Sequence, residues 1–317
     1  MSNTLQKYLR WSKLLIISKN YFENWFSAAL RYLLCSKGLL KDNTLNIKRR
    51  DGTSLTISSK LYSLLLNGLF NRLFKDLKCQ DHLVVTERSL IPFKELLASD
   101  MIFEALKNGW SYIRNYGYWF KDNVKFKHMR GYILEIYDYE EHRNIDVEKK
   151  FVIDVGAGYG ETAVYFILRG AEHVIAIEPC PDVFNELLEN LRLNNIMDKV
   201  SPINKAVASV HDRINIECPS GNFVVDTISL RDVAKNINLD DAVLKMDCEG
   251  CEYDTILHTD PQDLKIFKEI IIEYHNGYHE LKRFLEDSGF NTKIKPIRSF
   301  PQSIEKQGYL IAKRDIR

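Results

Sequence analysis

The stretch that most constrains this chain is residues 151–160, FVIDVGAGYG. It opens on Phe151-Val152-Ile153, the continuous apolar run that a parallel strand covered on both faces requires. Asp154 follows, and then Gly156, Gly158 and Gly160 on alternate positions. Glycines there let backbone approach a ligand closely, because no Cβ stands in the way. Residues 161–169 carry Ala163, Phe166 and Ile167 at helical spacing, so the turn feeds a helix N-terminus. A strand, a glycine turn and a helix in that order make a nucleotide-type site at the carboxyl end of the first strand of an α/β sheet.

The spacing narrows the ligand. A dinucleotide fingerprint needs glycine at position 161, where this chain has Glu161. An acid beside the helix start repels a pyrophosphate, so the ligand is expected to lack phosphate. The D-x-G-x-G-x-G pattern resembles the first motif of class I S-adenosylmethionine (SAM) methyltransferases. That resemblance implies SAM binding by Asp154, Gly156, Ala157, Gly158, Tyr159, Gly160 and Thr162. The glycines would admit the amino-acid and ribose parts, with the strand-end acid facing the sulfonium half. A second buried run, Val174-Ile175-Ala176-Ile177, ends in Glu178, 18 residues beyond Gly160, close to the ~20 at which a ribose-binding acid stands. A carboxylate there can accept hydrogen bonds from both ribose hydroxyls. The plain alternatives are a structural turn and a surface glutamate at a strand end.

Composition bounds the rest. The 317 residues suit one large or two ordinary domains, and 45% hydrophobic with 27% charged residues is a soluble globular profile. Six cysteines without regular spacing predict no disulfide framework, which makes a reducing cytoplasm the default location. No signal peptide is visible, and charges interrupt every apolar run before the ~18 residues that a spanning helix needs. The net charge of +1 hides an asymmetry: +9 over residues 1–150 and −8 over 151–317, with ten basic and two acidic residues in the first 50. A basic arm on an acidic body points to an anionic partner (a membrane surface or a phosphorylated carrier), with a solvated helix face as the bland reading.

That arm reads as helical. Phe22, Trp25, Phe26, Ala29, Leu30 and Leu33 form one apolar stripe that stops near Gly38, flanked by Lys7, Arg10, Lys13, Lys19 and Arg31. Peripheral membrane contact is the functional reading of this stripe, and packing on its own protein is the structural one. Leu45-Asn-Ile47 and Leu55-Thr-Ile57 alternate about Asp51-Gly52, a two-residue hairpin signal. Residues 61–74 and 100–113 read as helices, and residues 124–126 with 132–136 as a second hairpin about Arg130-Gly131. The cluster Trp110, Tyr112, Tyr116, Tyr118, Trp119 and Phe120 could line a cleft for sugars or bases, or form core. The polar segment 140–150 marks the boundary between an N-terminal helical and β-hairpin extension, residues 1–140, and a catalytic domain, residues 141–317.

Beyond Glu178 the motifs run in a fixed order. They are Glu178-Pro179-x-Pro181, then Asn190-x-x-x-Asn194, Asn204-x-Ala206-Val207 and Thr227-Ile-Ser-Leu230. Leu244-Lys-Met-Asp247-Cys-Glu249-Gly250-Cys-Glu252 follows, and then Ile271-Ile-Glu273-Tyr-His275. This ordered set resembles the FkbM family of SAM-dependent methyltransferases over residues 151–313. The resemblance implies a Rossmann-like, mostly parallel sheet with an antiparallel last strand near residues 308–312. It also implies O-methyl transfer to sugars or polyketide-type hydroxyls, and an adenine ring over the strand end at Asn204 and Ala206, with Pro179 beside it. Residues 213–225 read as an inserted hairpin.

Methyl transfer from a sulfonium is an in-line displacement, so the protein must align the acceptor and exclude water. An aliphatic hydroxyl needs a base. The candidates are Asp247 and Glu249 after the fourth strand, and Glu273 and His275 after the fifth, all at carboxyl ends facing one crevice. His275 titrates nearest neutrality and is the expected base; Asp247 would serve as base or hold the SAM ammonium. Asp247, Glu249 and Glu273 could hold Mg²⁺, but their spacing is not diagnostic and a metal is not favoured. Cys248-Glu-Gly-Cys251 lacks the second ligand pair of a zinc site and reads as structural. Against the glycan or small-molecule O-methyltransferase stand a nucleic-acid methyltransferase, disfavoured by the acidic turn, and a SAM-binding protein without turnover.

Overall fold

The computed structural model of the protein describes residues 3–235, 241–297 and 303–314, with side chains from residue 12 onward. The side chains of Lys7 and Arg10 therefore lie outside the described residues. The chain forms two compact units, Met1–Gly131 and Tyr132–Arg317, dividing ahead of the polar segment 140–150.

In the first unit the arm is two helices, Asn3–Tyr21 and Trp25–Ser36, broken at Phe22. The break splits the expected stripe: Phe22 and Ala29 are buried, whereas Phe26 and Leu30 are 65% and 48% exposed. The first hairpin pairs Thr44–Lys48 with Ser54–Ser58, setting Leu45 opposite Ile57 and Ile47 opposite Leu55. Its turn holds three residues rather than two, because Arg49 N–H also donates to Thr53 O, and Gly52 alone takes positive φ, +86°. The helix expected over 61–74 runs Ser59–Phe70, and the one expected over 100–113 runs Ile102–Lys107, ending before Gly109, whose φ is +89°. The second hairpin is wrong. Val124–Phe126 pairs with Tyr118–Lys121, and residues 132–136 belong to the helix Gly131–Tyr137, burying Ile133, Leu134 and Ile136. Five residues are too few to separate the two periods. Trp110, Tyr112 and Trp119 are buried core, and Trp119 Nε1 donates to Glu95 at 2.6 Å. The polar end of a buried indole is thereby satisfied.

The second unit is built on one seven-stranded sheet. Its strands are β1 (Phe151–Val155), β2 (His173–Ile177), β3 (Val200–Ile203), β4 (Ala242–Met246), β5 (Phe267–Tyr274), β6 (Asn291–Lys295) and β7 (Gly308–Lys313). They lie in the order β3-β2-β1-β4-β5-β7-β6. β1 to β5 are parallel, and β7 runs antiparallel between β5 and β6, the reversed closing strand that the sequence implies. Helices α1 (Glu161–Leu168), α2 (Pro181–Leu193), α3 (Cys251–Leu257) and α4 (His279–Asp287) connect the strands. Between β3 and β4 an inserted hairpin pairs Arg213–Cys218 with Gly221–Ile228. The chain steps outward from β1 through β2 to β3, then resumes on the other side at β4. That change of direction is a topological switch point, where the loops diverge and leave a crevice. Among the described residues no helix is long and apolar enough to cross a membrane.

One polar pair interrupts the apolar centre. Every residue of β4 is buried, including Lys245, which lies in register with Asp154 of β1. Lys245 Nζ stands 3.1 Å from Asp154 Oδ1 and donates to Gly156 O at 2.7 Å, while Thr162 Oγ1 donates to Asp154 Oδ2 at 2.5 Å. Burial alone would lower the Lys245 pKa, but Asp154, Asp247 and Glu161 outweigh it and hold the ammonium charged. Removing one partner of such a pair strands the other. Lys245→Met should therefore cost about 3–5 kcal/mol in urea unfolding, and adding Asp154→Asn should recover part of that loss. A single-variant loss below about 1 kcal/mol, the range of an exposed pair, would contradict this account.

Candidate active site

The turn after β1 is shaped by what it touches. Gly156 has φ +72°, and a Cβ on it would lie 1.7 Å from the carbonyl oxygen of Asp247, so only glycine lets the ends of β1 and β4 meet. The Gly156 and Ala157 amides both donate to Ile177 O at the end of β2. Asn190 of α2 donates to Tyr159 O at 2.8 Å. Glu178 accepts from the Gly158 amide at 3.1 Å and the Cys180 amide at 2.9 Å, which aims its carboxylate across the turn. Burial is the main influence on this group and pushes its pKa up to about 7, against those two amides and Lys245. Asn204 Nδ2 donates to the carbonyls of Glu178 and Pro179 and so fixes the loop that carries them.

Above the turn lies a cavity of about 500 Å³. Gly156, Gly158, Tyr159, Glu178, Pro179, Asp247 and Glu249 line it, as the sequence predicts. Other expected contacts stand behind the wall. The Asp154 carboxylate is consumed by Lys245 and Thr162, so it braces the turn rather than facing the cavity. Ala157 and Thr162 are buried, Gly160 caps α1 with φ +87°, and Ala206 pairs with Thr227 in a short bridge. Sequence reasoning missed Tyr132, Glu161, Val183 and the hairpin residues Ile216, Glu217 and Pro219, all on the wall. The hairpin itself was legible; that it folds over the site was not. Among the described residues five carboxyl groups line the cavity, those of Glu161, Glu178, Glu217, Asp247 and Glu249, and no Lys, Arg or His does.

The cysteines depart from expectation. Cys180 is joined to Cys218 and Cys248 to Cys251, while Cys35 and Cys79 remain free and buried. Cys180 and Cys248 both line the cavity, so one disulfide pins the hairpin to the Glu178 loop and the other closes the turn after Asp247. Irregular sequence spacing carried no sign of the first link, because folding alone brings residues 38 apart together.

Around His275 the acids gather. Its Nε2 stands 3.5 Å from Glu249, 3.7 Å from Glu273 and 3.9 Å from Asp247, and its Nδ1 lies 3.4 Å from the buried Glu252. Burial would lower the pKa of the imidazole, but Glu252, Glu249 and Asp247 together raise it to about 9. At neutral pH it is a cation, which removes it from the base role expected of it, and it lies off the cavity wall. Asp247 reaches the wall, and burial raises its pKa above the usual carboxylate range, partly offset by Lys245 and His275. Glu273, which accepts from Gln307 at 3.0 Å, is pushed by burial up to about 7. Ligand atoms of Asp247, Glu249 and His275 lie within 4.8 Å of one another, close enough for a cation. The trio differs from the three carboxylates expected.

Comparison with known proteins agrees with this geometry. Residues 154–292 match the model of the methyltransferase FkbM domain. Over 51 residues the chain is 39% identical to a ribosomal protein L11 methyltransferase of Geobacter sp. (strain M21), spanning 16% of this chain and 17% of that protein. Among solved structures, methyltransferase FkbM from Methylobacillus flagellatus KT aligns at 18% identity with a TM-score of 0.41, covering 53% of this chain and 44% of that one. A precorrin-6y C5,15-methyltransferase from Geobacter metallireducens GS-15 aligns at 13% identity with a TM-score of 0.38, covering 57% and 88%. With its glycine turn, its ordered strand-end motifs and its reversed last strand, the second unit carries, over residues 154–292, the pattern of a methyltransferase FkbM domain.

Proposed function

We propose that this protein transfers a methyl group from SAM to a hydroxyl of a glycan or a similarly hydroxylated small molecule. The observation that carries the reading is the cavity wall, where the described residues bring five carboxyl groups and no cationic side chain over a glycine turn. Such a wall suits a cationic cofactor and repels a pyrophosphate. Glu178 would accept from the ribose hydroxyls, and the turn from Gly156 to Gly160 would lie under the amino-acid end. When bound, SAM supplies a methyl group already activated by its sulfonium. Asp247 faces the cavity and would take the acceptor's proton; its raised pKa makes it a better base than an ordinary carboxylate. His275 and Lys245, 3.9 and 4.0 Å from its carboxylate, would hold it in place. A nucleic-acid acceptor is disfavoured by the same acidic wall, since a phosphate backbone would approach it against repulsion.

In the first unit, Phe26 and Leu30 stand exposed one turn apart on a basic arm. That pairing supports docking on an anionic membrane surface. Full-length protein should bind vesicles containing phosphatidylserine and not purely zwitterionic ones. Phe26→Ser with Leu30→Ser should abolish that binding; equal binding by the double variant would dismiss the docking surface.

Glu178→Ala should weaken binding of S-adenosylhomocysteine by about 1–3 kcal/mol, the loss of hydrogen bonds to a charged acceptor. Unchanged affinity in calorimetry would remove Glu178 from the site.

With glycan extracts as acceptor, Asp247→Asn should lower kcat by about 10²–10⁴-fold. Wild-type turnover should fall as pH rises through about 9, where His275 loses the charge that holds Asp247, and His275→Gln should lack that alkaline limb. Loss of turnover in EDTA with recovery in Mg²⁺ would instead assign the proton's removal to a cation held by Asp247, Glu249 and His275.

A further inference from the structure

One carboxyl group on the cavity wall has no part in the account so far. Glu161 opens α1, is 5% exposed and lines the cavity, yet among the described residues its Oε2 has no hydrogen-bond partner. The other acids nearby are committed. Asp154 is held by Lys245 and Thr162, and Glu178 accepts from two amides. Lys245 makes its ion pairs with Asp154 and Asp247, not with Glu161, and donates to Gly156 O. Leaving a buried polar oxygen unpaired is costly, so a position that does so is waiting for a donor or is strained.

The geometry favours a donor from the ligand. The Glu161 side chain folds back over the turn, so that a Cβ on Gly158 would lie 2.7 Å from Glu161 Oε1. Only glycine at 158 leaves the carboxyl that place. The amide of the same Gly158 donates to Glu178. Glu161 and Glu178 thus flank one glycine, and a ligand whose ribose meets Glu178 would present its next segment to Glu161. We infer that Glu161 binds the ammonium group at the amino-acid end of the sulfonium cofactor, a contact that rests on the methyl-transfer reading above. The carboxyl group that stands where a dinucleotide fingerprint has glycine would thereby select for an amino-acid-bearing nucleoside.

The group's protonation follows from its surroundings. Burial is the largest influence and pushes the pKa of Glu161 up to about 8; its own backbone amide and Lys245 of β4 oppose this, while Asp154 of β1 and Glu178 after β2 add to it. From the helix Gly131–Tyr137, Tyr132 and Tyr137 face it as neutral phenols, and Tyr137 Oη donates to the Glu161 carbonyl at 3.2 Å. At neutral pH without ligand, Glu161 holds its proton. An arriving ammonium pairs with the ionised form, so the carboxyl proton leaves to solvent and a carboxylate–ammonium pair remains, with charge conserved.

Calorimetry in two buffers of different ionisation enthalpy, near pH 7, tests this on the wild-type protein. The probes are S-adenosylhomocysteine and 5′-methylthioadenosine, which shares the adenosine and sulfur but lacks the amino-acid end. Any proton released by Glu178 is common to both. S-adenosylhomocysteine should release close to one proton more than 5′-methylthioadenosine, as a group with pKa near 8 requires. Glu161→Gln should erase that difference and weaken S-adenosylhomocysteine by about tenfold or more, leaving 5′-methylthioadenosine within about twofold. Equal proton release by the two ligands in the wild type, or undiminished S-adenosylhomocysteine binding by Glu161→Gln, would overturn the assignment alone. Wild-type protein that binds neither ligand would overturn the methyl-transfer reading and the assignment with it.

Discussion

The ion pair between Lys245 and Asp154 is the contact on which the catalytic unit turns. It lies between β4 and β1, the neighbours at which the sheet changes direction, and it is buried on both sides. An apolar pair of the same volume could hold those strands as well or better. It could not do what this ammonium does besides. Lys245 also holds the carbonyl of Gly156 and stands 4.0 Å from Asp247. A single charge thus positions the glycine turn after β1 and the turn after β4 relative to each other. The glycine at 156 completes the arrangement by letting those two turns touch.

What could be read from the sequence followed what is local. The first two strands announced themselves as apolar runs, the glycine turn as a backbone requirement, and Glu178 by its distance from that turn. The inserted hairpin and the reversed last strand were also legible, the latter only through family resemblance. The first unit was harder, because beyond its first hairpin the strands are three or four residues long, and Trp110, Tyr112 and Trp119 serve core. Residues 132–136 alternate like a strand and fold as a helix.

Within the site, identity was legible and role was not. Asp154 was expected at the ligand and instead serves the sheet. His275 was expected to act as the base, and Glu252, Glu249 and Asp247 raise its pKa to about 9. Both errors have one origin: whether a titratable group is free, paired or protonated depends on neighbours that come from other strands. Glu161 shows the converse. Its acidity argued against one ligand from sequence alone, but its burial and its open oxygen required the fold.

The link between Cys180 and Cys218 has a consequence for how a ligand would be received. It fastens the free-standing hairpin to the loop after β2, so Ile216, Glu217 and Pro219 keep their places beside Glu178. A wall held at both its base and its tip has little freedom left to surrender. The ordering cost of association on that side is then met during folding rather than at each encounter, and the cavity meets its ligand as a preorganised mould.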